Sequence, residues 1–317
     1  MRLLRLFAAI PFRVRQDERL NISATYPLRI SRFLAFSLSR FSPPAIIAPV
    51  KQSLPHKLAL YRAAVQHPPA EVAFLERAYR HYHRRDPLLL KEDFAGSAAI
   101  SMVWVASSDE HQAIAIDSHA PTVRWASKQT ALWLGDRADD LHLVHADVMS
   151  LTSPKVDVVA ALNFSALIYH DRAALLAYFR NARKSLAPAG IFVIDIYGGP
   201  GALRPQSQHR QARTEDGLLF DYCWEQRKVN AVTGRVENHI HFTFDDGRAM
   251  RSAFRYDWRL WSLPELLEIM HAAGFAKAQV WCDKFDAKTG QSDGTYRPTS
   301  HIEPREDWVA YVIGVKK

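Results

Sequence analysis

Between Leu88 and Gly199 the chain alternates in a way that few folds can satisfy. Short runs such as "PLLLKE", "HQAIAID", "LHLVHAD", "KVDVVAALNFSA" and "IFVIDIYGG" are apolar almost throughout, up to a polar residue at the end. Amphipathic stretches, "SAAISMVWVASS", "APTVRWASKQTALWL" and "DRAALLAYFRNARKSL", separate them. A strand that is apolar on both faces is covered on both faces, and helices between such strands supply the cover. The pattern predicts βαβ units and a doubly wound parallel sheet of the α/β class. Before it, "KLALYRAAVQ" and "AEVAFLERAYRHYHRR" predict two helices broken at "HPP". After Gly199 the texture becomes aromatic and β-rich, with turn signals at "NAVTG" and "DDG". This predicts an antiparallel meander inserted over 204–260. A helix over "SLPELLEIMHAAGF" follows, with Ser262 and Glu265 placed as a capping box, then strands "AKAQVWC" and "DWVAYVIGV".

In an open parallel sheet, ligands bind beyond the carboxyl ends of the strands. The polar residues of this segment fall there: Glu92 and Asp93, Asp117, Asp147, Asn163 and Asp195. Gly96, at the centre of the turn Ala95–Gly96–Ser97, lets backbone approach a ligand, and the helix that follows offers N–H groups. Asp117, 21 residues after Gly96, is placed to accept from ribose hydroxyls. Each signal alone has a structural reading: an ordinary tight turn, a helix cap, a loop acid. Their order at successive strand ends points to a nucleotide-like cofactor. A pyrophosphate wants three glycines, and here Phe94 and Ala98 stand at the outer two positions. S-adenosylmethionine carries no phosphate, and a carboxylate at Glu92 suits its cationic methionine end.

With these residues the order resembles the class I S-adenosylmethionine-dependent methyltransferases. Their glycine motif falls on Glu92, Phe94, Gly96 and Ala98, the ribose acid on Asp117, the adenine pair on Asp147 and Val148, and the position after the fourth strand on Asn163 and Phe164. The stretches "YRAAVQHPPAEVAFLERAYR", "EDFAGS", "LNFSA", "IYGG", "YDWRLWSLPEL" and "YRPT" with "WVAY" resemble one mostly bacterial branch over about 51–315. The departures are Ala95 for cysteine and Ser97 for threonine. The resemblance implies a Rossmann-like seven-stranded sheet, an N-terminal helical lid and a cofactor set of Glu92, Phe94, Ala95, Gly96, Asp117, Ser118, Asp147, Val148, Asn163, Phe164 and Tyr61. It implies methyl transfer to a small-molecule acceptor.

Methyl transfer demands proximity and alignment, so a strong base is not obligatory. The acceptor is expected beneath the meander. Asn163, Tyr169, Tyr197 and Trp224 are candidates for its wall, with Glu225, His239, His241, Tyr256 and Arg259. No metal is expected. Two other functions remain open: a nicotinamide-dependent oxidoreductase, which Phe94 and Ala98 disfavour, and a non-catalytic cofactor-binding relative.

The net charge of +8 suggests nucleic acid until it is located. Residues 1–50 hold eight arginines against Asp17 and Glu18; removing them from 41 basic and 33 acidic residues leaves +2. The body therefore carries no strong balance for phosphate backbones. Residues 1–50 read as a mistaken upstream start, an organelle-targeting segment or a basic amphipathic helix, with 51–317 as the methyltransferase-like domain. No run approaches the ~20 apolar residues of a membrane span. Cys223 and Cys282 form no CxxC pair, which fits a reducing compartment. The expected location is the cytoplasm, or an organelle matrix if the leader is genuine. The oligomeric state is open.

Overall fold

The computed structural model describes residues 53–317 except 287 and 290; the expectations for residues 1–50 lie outside them. Two helices, α1 (Lys57–Val65) and α2 (Pro68–Tyr82), come first, each capped by a histidine ring, His56 and His67. Then strand and helix alternate: β1 (Leu89–Asp93), α3 (Ala99–Ser107), β2 (Gln112–Asp117), α4 (Ala120–Leu134), β3 (Leu141–His145) and β4 (Val156–Ala161). Next come α5 (Arg172–Ser185), capped by the Asp171 side chain, and β5 (Leu186–Gly198). Every residue of β4 is buried, as its unbroken apolar run requires.

Four antiparallel strands follow, β6 (Gln206–Arg213), β7 (Leu219–Asn230), β8 (Arg235–Thr243) and β9 (Ala249–Arg259), paired in that order. Then α6 (Leu263–Ala272) starts with the expected capping box: Ser262 accepts from the Glu265 N–H while the Glu265 carboxylate reaches back. The chain finishes with β10 (Lys277–Cys282), a two-residue hairpin β11–β12 (Phe285–Asp286, Gln291–Ser292), β13 (Arg297–Thr299) and β14 (Trp308–Val315).

The main sheet runs β13-β10-β14-β5-β4-β1-β2-β3. β1 to β5 are parallel; β14 and β10 run antiparallel to their neighbours. The seven expected strands are present, and three-residue β13 adds an eighth at the edge. The order reverses at β1, which pairs with both β2 and β4, so the switch point lies at its carboxyl end. Alternate residues of β1 serve different cores: Leu90 packs with α2 and α3, Leu89 on the α5 and meander side. Among the described residues no helix is long and apolar enough to cross a membrane.

Candidate cofactor site

At the switch point the turn after β1 takes an unusual backbone. Phe94, Gly96 and Ala98 have φ of 57°, 54° and 54°. These are the three positions that the resemblance assigns to glycine, and two carry side chains. A left-handed non-glycine residue costs roughly 1–2 kcal/mol, so the surroundings must hold the turn in place. They do so on both sides. The Ala95 N–H donates to Ile116 O at 2.9 Å and the Ala98 N–H to Ala95 O at 2.8 Å. The Phe94 ring packs against Tyr178 at 5.5 Å and Tyr169 at 6.4 Å. A Cβ at Gly96 would meet nothing nearer than 3.9 Å, so its backbone angle and not crowding favours glycine there.

Asp117 ties this turn to the second strand. One carboxylate oxygen accepts the Gly96 N–H at 2.9 Å and the other the His119 N–H at 2.8 Å. Ser118 beside it is exposed, and its carbonyl accepts from His145 Nε2 at 3.1 Å. After β3, Asp147 is exposed and accepts the Met149 N–H at 2.8 Å, while Val148 is buried. After β4, Asn163 and Phe164 form a left-handed pair with φ of 59° and 61°. Asp195 on β5 holds that pair, its two oxygens accepting the N–H of Asn163 at 3.1 Å and of Phe164 at 2.8 Å.

The pleat of β1 sends its two terminal carboxylates to opposite faces. Glu92 is buried under α3, where one oxygen accepts the Ser101 N–H at 2.9 Å and the Ser101 hydroxyl at 2.5 Å. Burial pushes its pKa up to about 7, with the charges of Asp117 and Asp93 adding to the rise. Its hydrogen bonds therefore go to the helix beside the turn, close to Asp117. Asp93 points the other way, 2.8 Å from Lys91 Nζ and accepting the Tyr178 hydroxyl at 3.0 Å.

Helix α1 bridges the elements around this edge. Gln66 accepts the Ser97 hydroxyl at 2.8 Å, and His56 stacks on Trp125 of α4 at 5.1 Å. Lys57 donates to Ala253 O of β9 at 3.4 Å, and Arg62 pairs with Glu215 in the β6–β7 turn. Tyr61 packs on Phe254 at 5.0 Å and shares a hydrogen bond with Tyr256.

The meander divides the expected acceptor wall between its two faces. Trp224 meets Tyr197 edge-on at 5.9 Å, and Tyr256 stacks on Trp258, which also faces Tyr197. The Tyr197 hydroxyl donates to Gln226 and accepts from Asn238. Residues one position away point outward. His241 pairs with Glu225 at 3.0 Å, and His239 bonds Glu237 and Ser252. Glu225, His239 and His241 thus stand on the face away from Tyr197, because strand neighbours alternate sides. Arg259 is engaged elsewhere: it lies 3.6 Å above the Trp261 ring and donates to His170 O and Glu265. Tyr169 stacks on Tyr178 at 5.0 Å, near the β1 turn.

Two groups beyond the cofactor set join the edge, one of them already placed at a strand end by the sequence. Asp195 carried a signal, a lone acid inside "IFVIDIYGG". Glu71 carried none, because an acid in the first turn of a helix reads as a dipole partner.

No family model and no curated protein matches this sequence. Solved structures do. The sugar N-methyltransferase KedS8 from Streptoalloteichus sp. superposes with TM-score 0.57 at 16% identity, over 88% of this chain and 100% of that one. An S-adenosylmethionine-dependent methyltransferase from Clostridium acetobutylicum gives 0.57 at 15%, over 81% and 97%. The fold is that of the class I methyltransferases. A third such structure, the S-adenosylmethionine-bound amino pentose methyltransferase CalS10 from Micromonospora echinaspora, gives 0.55 at 15% identity, over 83% and 99%. In this methyltransferase fold the left-handed turn at 94–98, Asp117 and the Asn163–Phe164 pair all lie at the carboxyl edge of the parallel strands.

Proposed function

We propose that this chain is an S-adenosylmethionine-dependent methyltransferase with a small-molecule acceptor. The observation that carries the reading is the turn at 94–98, left-handed at the three motif positions and bonded through Gly96 to Asp117. Asp117 and Glu92 stand at that edge with no cationic side chain paired to either among the described residues, whereas Asp93 is paired with Lys91. Such an environment repels a diphosphate and suits a cofactor with a cationic sulfonium and ammonium, which also weighs against the nicotinamide reading.

In this reading Gly96 and the α3 N-terminus face the methionine end, with Phe94 and Ala95 flanking it and Glu92 supplying charge from beneath. Asp117 and Ser118 take the ribose, Asp147 and Val148 the adenine, and Tyr61 closes the site from above. The cofactor, once bound, supplies a methyl group on an electron-poor sulfur. The chain's own contribution is alignment: the Asn163–Phe164 turn, fixed by Asp195, sets where an acceptor atom meets that methyl. The inner face of the meander, with Tyr197, Trp224 and Tyr256, excludes water above it. Neighbours named for sugar and amino pentose methylation support a small acceptor.

The test is isothermal titration of the full chain with S-adenosylhomocysteine. Binding at one site per chain is expected, and absence of binding by the folded wild type would remove the proposal.

A further inference from the structure

Two carboxylates, Glu71 and Asp195, lie on either side of Tyr311 behind the Asn163–Phe164 turn. Glu71, from the first turn of α2, accepts the Tyr311 hydroxyl at 2.8 Å through Oε2. Tyr311 on β14 stands opposite Asp195 in the β5–β14 ladder. The other Glu71 oxygen, Oε1, has no hydrogen-bond partner among the described residues. Glu71 keeps part of its surface accessible, and burial among its neighbours raises its pKa. Tyr61, Tyr256 and Tyr296 share that combination.

The groups facing this pair come from every element packed on it. Tyr61 comes from α1, Tyr311 from β14 and Tyr296 from the segment before β13, and Tyr222 and Tyr256 of the meander stand next to Tyr61. Two cations approach, but both are occupied. Arg77 donates to Tyr296 O and lies over Phe74, and Arg210 lies over the Tyr222 ring at 5.1 Å. Among the described residues, no third ligand joins the two carboxylates at metal spacing.

Resting on the methyltransferase reading, we propose that the acceptor is an amine, received as its ammonium ion by Glu71 and the tyrosine wall, and that Glu71 takes its proton. Aromatic faces and carboxylates together favour an organic cation. Burial pushes Glu71 up to about 7 and Asp195 up to about 8, the latter raised further by the Glu71 charge. A base in that range can hold an ammonium proton briefly near neutrality. The electron balance is simple. Proton loss to Glu71 frees the nitrogen lone pair, which forms the new N–C bond. The methyl–sulfur bond breaks with its pair on sulfur, leaving a neutral thioether and a methylated ammonium. Glu71 then returns one proton to water. Asp195, with both oxygens bonded to backbone, positions the turn.

The test pairs amines with their matched alcohols: amino sugars with the parent sugars, and phenethylamine with phenethyl alcohol. Ligand-observed NMR on the full chain saturated with S-adenosylhomocysteine should show contact with amine members only, and Glu71→Gln should abolish it. With radiolabelled S-adenosylmethionine, label should enter amines. Glu71→Gln should slow transfer about 100-fold near neutral pH, and the deficit should shrink toward pH ~10, where amines arrive neutral. Glu71→Asp should keep part of the activity. Label or contact confined to alcohols overturns the proposal. So does an unchanged pH profile in Glu71→Gln, or failure of every amine in a chain that binds S-adenosylhomocysteine. Failure to bind S-adenosylhomocysteine would instead strike the methyltransferase reading itself.

Discussion

The Gly96 amide donates to the Asp117 carboxylate across 2.9 Å, so the glycine turn and the acid at the end of β2 form one unit. Asp117→Ala should therefore do two things. It should weaken S-adenosylhomocysteine binding at least tenfold, and it should lower stability by ~1–3 kcal/mol because two backbone N–H groups lose an anionic acceptor. Titration calorimetry and a denaturant melt read the two effects separately. An effect on binding with no change in the melt would show that the bond to Gly96 contributes nothing to the fold.

Ala98 sits at the left-handed N-cap of α3 with φ of 54°. Glycine at that position relieves ~1–2 kcal/mol of backbone strain and is a better cap than alanine, which outweighs the ~0.8 kcal/mol lost with the buried Ala98 methyl. Ala98→Gly should stabilise the protein by ~1 kcal/mol, a Tm rise of about 2–4 °C. Phe94→Gly should do the reverse, since losing the ring against Tyr169 and Tyr178 costs ~2 kcal/mol beyond the strain relieved. Thermal melts of the two variants should move in opposite directions.

Asp195, Glu71 and Glu92 each titrate higher when folded than an exposed carboxylate, at about 8, about 7 and about 7. Between the ordinary carboxylate range and those values the folded chain binds more protons than the unfolded one. Their stabilising contribution is full below pH ~4 and is lost as pH rises through the folded values. Asp157, held low by Arg85 and two backbone N–H groups despite its burial, acts in the opposite sense at more acid pH. Calorimetry should find Tm falling between pH ~5 and ~8. Asp195→Asn should flatten the upper part of that fall. Parallel slopes for variant and wild type would refute the assignment.

Lys91 and Asp93 are both buried, on neighbouring pleats of the central strand. Removing one member leaves an uncompensated charge, so Lys91→Met should cost ~3–5 kcal/mol. Adding Asp93→Asn should restore most of that, because the Tyr178 hydroxyl can still donate to an amide oxygen. A double-mutant cycle by chemical denaturation measures the coupling.

How far the sequence disclosed this molecule depended on where the information was stored. The strands β1 to β5 were legible because burial on both faces leaves an unbroken apolar run. β6 was not: "QSQHRQAR" is polar along most of its length, and its place comes from backbone pairing with β7. β13 and the β11–β12 hairpin are too short to carry a period. Asp117 announced itself by spacing, whereas its grip on Gly96 did not. His239 and His241 were candidates for the acceptor wall because they lie on the meander. Which face turned inward was decided by Trp224, Asn238 and Trp258 packing around Tyr197, a tertiary fact. Glu71 was invisible for the same reason, since its partner Tyr311 is 240 residues away.

The back-to-back carboxylates of β1 also act on assembly. A slip of one residue in the pairing of that strand would carry Lys91 beneath α3 and turn Glu92 toward α5. The Tyr178 hydroxyl would lose Asp93, and the Ser101 donors would lose Glu92, in the same misstep. Charge sorting along five residues thus proofreads the register of the sheet's central strand, before any ligand is present to select the correct one.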